Sequence, residues 1–380
     1  MSESAPLVRG LEGIPCAESA ISRINGTEGK LFYRGYSIED LADNCTFEET
    51  AYLLLYGDLP TADQLAEFDN ELRHHRRLKY RIVDVIKLLP ENGHPMDILQ
   101  AGIAAMGMFY PAKAIHDPQV QRSACIKLIA KMPTLVAAFA RLRHGDDAIR
   151  PRDDLSHAAN FLWMLHEVEP DPVATRVMDA SLILHAEHTM NASTFSARVV
   201  GSTLADPYAV ISSAIGTLSG PLHGGANEAV LDLLDEIGGP ENVDEVVGGK
   251  IERKDKIMGL GHRVYKTKDP RAKILQKLAK ELFQTLGADD RYETARAVEA
   301  YATERLGHKG IYPNVDFYSG IVYSKLGVQT DSFTPIFAMA RVAGWLAHWL
   351  SQLEGNRIFR PTQVYTGVEP RQYMPVSDRG

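Results

Sequence analysis

Three cysteines in 380 residues, Cys16, Cys45 and Cys125, are too few and too dispersed for a disulfide framework or a zinc ribbon. Such usage implies a reducing compartment, and a cytoplasmic location is expected. Basic residues are not in excess either. Lys and Arg number 41 against 49 Asp and Glu, a net charge of −8, which argues against a nucleic-acid footprint. A few arginines gathered in one cleft still suffice to bind a small anion, whatever the total charge. The opening MSESAPLVRGLEG has no apolar h-region, so no export signal is expected. The longest apolar segment, Phe333 to Leu353, carries Arg341 and His348 near its middle, which suits a buried helix better than a membrane span. Common ligand motifs are missing too. GLGHRV has Val264 where a dinucleotide fingerprint needs its last glycine, and Gly249-Lys250 is followed by Ile251 rather than Ser or Thr. His166-Glu167 lacks the second histidine of a zincin, and no G-x-S-x-G elbow exists.

What is present is a globular composition, 45% hydrophobic and 24% charged, in a chain long enough for two domains. SAISRI and KLFYRGY flank Asn25-Gly26 and read as a short β hairpin. From Ser37 onward the pattern is helical. SIED, TFEE and TADQ, beginning at Ser37, Thr46 and Thr61, resemble capping boxes. Helical runs are predicted from Pro95 to Tyr110 and from Gln119 to Arg143, and two more open on Asp-Pro at 171–172 and 206–207. No βαβ rhythm appears, so the fold class is mostly α. Gly238-Gly239-Pro240 and Gly248-Gly249 bracket what reads as an acidic loop, and Lys250 to Lys256 reads as an exposed charged stretch. A large domain is expected over residues 1–222 and again over 328–380, with a smaller domain over 223–327 between them.

Several polar residues stand in unusual company. His223 lies in LSGPLHGGANEAV and His262 in GLGHRV, each with glycines that let backbone approach a ligand while the ring projects into it. Asp316 follows Pro313-Asn314 in NVDFYSG. Any one such histidine is more often a satisfied core or surface residue; two with a turn-borne aspartate nearby shift the balance toward a site. Arg271, Arg341 and Arg360 occupy poor surroundings for charge. A buried guanidinium needs a carboxylate or phosphate partner, so each marks either an internal salt bridge or an anion ligand. His185 and His188 share a helix face in HAEH, but nothing else supports a metal.

LSGPLHGGANEAV, MGLGHRVYKTKDPRA, PNVDFYSG, ARVAGW and FRPTQVYTG together closely resemble the citrate synthase family, in its shorter dimeric form. The likeness runs from RGLEG near the start to the RP segment near the end. It implies a multi-helical fold with a large and a small domain, a cleft between them, and an obligate homodimer whose partner subunit supplies an arginine. The implied reaction condenses acetyl-CoA with oxaloacetate and hydrolyses citryl-CoA to citrate and CoA, with no metal or redox cofactor. By resemblance Asp316 is the base, His223 binds the thioester oxygen, and His262 polarises the oxaloacetate carbonyl. His188, Arg271 and Arg341 resemble oxaloacetate ligands, and Arg360 the arginine from the other subunit, with Arg357 three residues away as a source of ambiguity. Lys256, Met258, Gly259, Leu260, Gly261, Lys266 and Asn314 are the implied CoA contacts. A 2-methylcitrate synthase acting on propionyl-CoA would use the same residues, since one methylene in an apolar pocket is worth only ~1–3 kcal/mol. A silent helical scaffold would have no use for this residue set, and a nicotinamide dehydrogenase would need the βαβ unit that is missing.

Overall fold

The computed structural model describes residues 7–287, 289–368 and 370–379. Among them the only sheet is a three-stranded antiparallel ribbon of β1 (Ser22–Asn25), β2 (Lys30–Tyr33) and β3 (Tyr36–Ser37). Asn25 pairs with Lys30, so residues 26–29 form a four-residue loop rather than a two-residue turn on Asn25-Gly26. The tight turn falls instead at Arg34-Gly35, where both residues take positive φ (49° and 95°), the sense that matches strand twist.

Helices follow without interruption by further strands: α1 (Ile38–Asn44), α2 (Phe47–Tyr56), α3 (Ala62–His75), α4 (Tyr80–Lys87), α5 (Pro95–Phe109), α6 (Pro118–Leu142), α7 (His157–His166), α8 (Pro172–His185), α9 (Ala192–Ser202) and α10 (Pro207–Leu218). Then come α11 (Ala226–Ile237), α12 (Gly249–Arg253), α13 (Pro270–Leu286), α14 (Asp290–Leu306), α15 (Val315–Lys325) and α16 (Phe333–Leu353). Their starts follow from local chemistry. Thr46 and Thr61 make full reciprocal capping boxes with Glu49 and Gln64. Ser37 caps α1 through the Asp40 amide, but its hydroxyl then donates to the Asp40 carboxylate, so the return bond to the backbone is not made. Asp117, Asp171, Asp206 and Asp269 each cap a helix that opens on proline. The segment expected as an acidic loop is a helical staircase: a 3₁₀ turn at Pro240–Asn242 and a π turn at Asp244–Gly248 run directly into α12. Gly248 packs under Tyr301 there: a Cβ would stand 2.6 Å from its hydroxyl.

The core is organised around α16, which packs against α2, α5, α6, α8, α9, α10 and α11. It is buried from Phe333 through Trp349. Its closest approach is at Gly344, where a Cβ would lie 2.4 Å from both the Ala186 carbonyl and the Glu187 Oε2. α6 has the length and apolarity of a membrane span, yet 83% of its most apolar window is covered by the rest of the protein. Helices α11, α13, α14 and α15 pack largely on one another and reach the remainder through α13 on α8 and α1, and α11 on α16.

Gly344→Ala is expected to destabilise the protein by ~1–3 kcal/mol, the usual range for overpacking a rigid contact. Thermal unfolding checks this; a midpoint equal to wild type would mean that the α16 approach is not a fixed constraint.

Candidate active site

One cavity, of about 740 Å³, gathers residues from distant parts of the chain: His188, His223, His262, Arg271, Asp316 and Arg341 all line it. The N-terminal segment from Gly10 to Ala17 closes one side, and Phe195, Phe337, Val315 and Leu222 supply apolar walls. The three residues read from sequence as chemistry, and three of the four read as anion ligands, therefore meet in one place.

Asp316 sits in the first turn of α15, set there by Asn314, whose Oδ1 accepts the Asp316 amide at 3.0 Å. Asn314 also accounts for the glycine loop. Its Nδ2 donates to the Gly261 carbonyl at 2.9 Å, its amide donates to Gly259, and Leu260 bridges to Pro313. Gly259 takes φ 76°, and a Cβ there would stand 2.8 Å from the Phe317 ring, so the loop must be glycine to fit against α15. No donor from the described residues reaches the Asp316 carboxylate. Burial raises it to about 6, Asp269 adds to the rise, and Arg271 and Arg341 partly offset it.

The two glycine-flanked histidines have opposite tautomers, and backbone amides set both. His262 Nδ1 accepts from the amides of Val264 (3.0 Å) and Tyr265 (3.1 Å), which leaves the proton on Nε2. His223 Nε2 accepts from the Ser193 amide at 3.2 Å and lies 2.9 Å from the Ser193 hydroxyl, which leaves the proton on Nδ1. Burial, reinforced by the nearby cations Arg341 for His223 and Arg271 for His262, pushes both imidazoles down to about 4. At neutral pH each is a neutral ring with one N–H to offer. His188 is also neutral: burial, then Arg271, depress it far below the usual histidine range. Its ring lies 5.3 Å edge-on from His262, with the Tyr265 hydroxyl 3.4 Å from its Nε2.

Arg271 is 2% exposed and pairs with Asp269 through Nε (3.1 Å) and Nη2 (2.8 Å), leaving Nη1 without a protein acceptor among the described residues. Burial opposes its charge, but Asp269 more than compensates and the guanidinium is held protonated. Arg341 spends only Nε, on the His185 carbonyl at 2.6 Å, and its guanidinium lies 4.6 Å over the Phe337 ring. Burial lowers it to about 10, still a cation at neutral pH. Both alternatives open for these arginines thus hold at once: Arg271 is half of an internal salt bridge and still has a donor to give.

The remaining sequence candidates lie elsewhere. Met258, Gly259, Leu260 and Gly261 form the stitched loop beside the cavity, Asn314 is its fastener, and Lys256 and Lys266 are exposed. Arg360 does not line this cavity. It lies with Arg357, Arg198 and Arg34 on a second hollow of about 1260 Å³, next to the extended C-terminal stretch. His185 is buried with Nδ1 on the Ser181 carbonyl, and among the described residues no cluster of three metal-binding side chains occurs. Sequence reasoning missed Ser193, Tyr265, Asp269 and Glu187. Only Asp269 had a local signal, the Asp-Pro start it shares with three other helices. The N-terminal ribbon was also not read as part of the site. Gly26 accepts from the Lys266 amide at 2.9 Å, and a Cβ on Gly26 would sit 2.2 Å from the Val264 carbonyl.

A lone raised carboxylate beside two neutral N–H donors and two guanidiniums with free donors defines a site for removing a proton next to a carbonyl and holding an anionic co-substrate. The family model for the citrate synthase C-terminal domain matches residues 10–362. A citrate synthase of Synechocystis is 56% identical, covering 100% of this chain and 96% of its own length. A 2-methylcitrate synthase of Shewanella oneidensis is 41% identical over the whole of both chains. Among solved structures, citrate synthase from Pyrobaculum aerophilum superposes with TM-score 0.94 at 43% identity, covering 100% of this chain and 97% of that one. The Thermoplasma acidophilum citrate synthase, solved with carboxymethyl coenzyme A and oxaloacetate, gives 0.91 at 34% identity, covering 99% and 100%. The chain belongs to the citrate synthase family.

Ring-nitrogen ¹⁵N spectra should show His223 protonated on Nδ1 and His262 on Nε2 at pH 7, both becoming imidazolium only toward pH 4. The same tautomer at both positions, or titration near 6.5, would contradict the backbone-amide assignment.

Proposed function

We propose that this protein condenses acetyl-CoA with oxaloacetate and hydrolyses the resulting citryl-CoA, releasing citrate and free CoA. The observation that carries the reading is the meeting, in one cavity, of an unpaired carboxylate raised to about 6 with two imidazoles whose free N–H groups are fixed by backbone. A thioester methyl is a very weak acid, so a base alone cannot deprotonate it at useful rates. The developing enolate oxygen needs a donor already in place. Asp316 takes the methyl proton while His223 Nδ1–H donates to the thioester oxygen. The new carbon nucleophile attacks the oxaloacetate ketone, whose oxygen accepts from His262 Nε2–H and, once protonated, stays on its carbon as the hydroxyl of citryl-CoA. Water then cleaves the thioester. Neutral imidazoles suit this task because a donor close in acidity to the enol shares its proton as charge develops. Free donors on Arg271 and Arg341, with His188 in the same cavity, hold the two carboxylates of oxaloacetate.

The glycine loop at 258–261, Lys256, Lys266 and Asn314 are assigned to CoA, and the 223–327 segment to the domain that closes on it. The scheme uses no metal or redox cofactor, and three free thiols fit the reducing cytoplasm expected for it. The second subunit is part of the same proposal. Arg360 is exposed, lies off its own cavity, and precedes a C-terminal stretch with Val364, Tyr365, Tyr373 and Val376 each more than half exposed. An arm of this kind fits a partner chain, and Arg360 is assigned to the partner's oxaloacetate. The acyl group is acetyl rather than propionyl because the citrate synthase relative is the more similar of the two kinds.

Free-thiol release with oxaloacetate and either acyl-CoA tests the reaction: a clear excess of kcat/KM for acetyl-CoA is expected. Preference for propionyl-CoA would move the protein to the methylcitrate branch, and no release from either would end the enzyme reading. Asp316 must be ionised to act, so kcat/KM should fall tenfold per pH unit below about 6. An acid limb near 4 would mean an unperturbed base. Asp316→Ala should lose ~10³-fold or more in kcat while still binding oxaloacetate, within the range attributed to positioned general bases and their coupled donors. Mixing Arg360→Ala with Asp316→Ala subunits should restore part of the activity through one repaired site; no recovery in proven heterodimers would remove the partner-arginine assignment.

A further inference from the structure

Three residues of α16 lie one turn apart on a single face. Arg341, Trp345 and His348 are spaced i, i+4, i+7, within about 60° of one another at 100° per residue. Each spends a donor on the same short stretch, residues 185–193, which runs from the end of α8 into the first turn of α9. Arg341 Nε–H reaches the His185 carbonyl at 2.6 Å. Trp345 Nε1–H reaches the Ser193 hydroxyl oxygen at 3.1 Å. His348 Nε2–H reaches Glu187 Oε1 at 3.1 Å. The proton of His348 is assigned by its other nitrogen, which lies 3.4 Å from the Arg198 guanidinium and so accepts. Gly344, between them, lets the helix touch the segment directly.

Each bond leads to a residue of the cavity. Ser193 holds His223 Nε2, and with Trp345 already donating to its oxygen, its single hydroxyl proton is left for His223 or for Asn191 Oδ1 at 2.7 Å. Glu187 immediately precedes His188. Its carboxylate is fully buried, accepts also from Ser22 Oγ at 2.9 Å, and its backbone carbonyl accepts from the Tyr33 hydroxyl at 2.8 Å. The segment has no regular structure between Ala186 and Asn191 to hold it, so these side-chain bonds fix its course.

We propose that Trp345 and His348 are positioning residues for the condensation: α16 is a rail that registers His223 through Trp345 and Ser193, and His188 through His348 and Glu187. The two links act on different steps. The Trp345 link orients the donor needed during enolisation, and the His348 link orients the oxaloacetate ligand. A stretch of polar bonding that served only to satisfy buried groups would have no such division.

The inference rests on the reaction proposed above, and its test separates the two. Trp345→Phe keeps the ring and deletes the donor. It should lower kcat about tenfold, the ~1.4 kcal/mol of one neutral hydrogen bond, with KM for oxaloacetate within about twofold of wild type. His348→Leu should do the reverse, raising KM for oxaloacetate about tenfold with kcat within about threefold, and His348→Gln, which keeps a donor and an acceptor, should recover most of the loss. If His348→Leu does not fold, the isosteric Glu187→Gln reads the same link and should raise KM. Variants that lower the melting temperature while leaving kcat and KM at wild-type values would overturn the rail, as would equal losses in both parameters for both residues. A wild-type protein without thiol release would instead sink the reaction. Oxaloacetate calorimetry, which needs no turnover, would then still decide the His348 link: it holds if His348→Leu binds about tenfold more weakly and fails if affinity is unchanged.

Discussion

Cations placed in an apolar core must be answered by acceptors, and in this fold that requirement shapes the site. Arg271 is answered by Asp269 two residues earlier, across a helix start that the same aspartate caps. Arg341 is answered by a single carbonyl and the face of Phe337, far fewer partners than its five N–H donors can engage. Continuum reasoning puts the cost of an under-partnered buried charge at several kcal/mol, so the cavity is a region where the folded chain holds electrostatic stress. A dianion entering it relieves that stress. Binding and charge burial are in this sense one problem, solved only when the ligand is present.

The same positive field has a second effect. It adds to burial, the larger cause, in disfavouring imidazolium, so His188, His223 and His262 stay neutral. It also holds down, without cancelling, the rise that burial gives Asp316. Burial, with the two arginines added to it, keeps three rings as neutral hydrogen-bonding groups, and the same arginines keep the carboxylate within reach of neutral pH. Two competing shifts, rather than any single contact, give the carboxylate its useful acidity.

Much of this was legible in the chain. Helix starts were readable because capping is local: Thr46 with Glu49 and Thr61 with Gln64 are each within four residues. His223, His262 and Asp316 stood out because glycine and Asn-capped turns leave a mark at short range. What was not legible depends on contacts between distant segments. Nothing near Ser193 says that it will meet His223, and Glu187 looks like any acid on a helix end until Ser22 and His348 surround it. The acidic stretch at 240–249 is helical rather than a loop, and its Gly248 packs under Tyr301, a partner some fifty positions away. Asn25-Gly26 carried the turn signal, but the register placed the tight turn at Arg34-Gly35.

The contact between the N-terminal ribbon and the Val264–Lys268 loop joins segments about 240 positions apart in sequence. Gly26 and Gly29 press on that loop from the first tenth of the chain, while the loop belongs to its last third. Closing the chain over so many positions costs more entropy than forming a local helix turn, a cost that the packing of α16 on α2 shares. His262 depends on the same loop for its tautomer. The two halves of the chemistry thus face one another only through contacts that join distant parts of the chain, and the ribbon is one of those clasps.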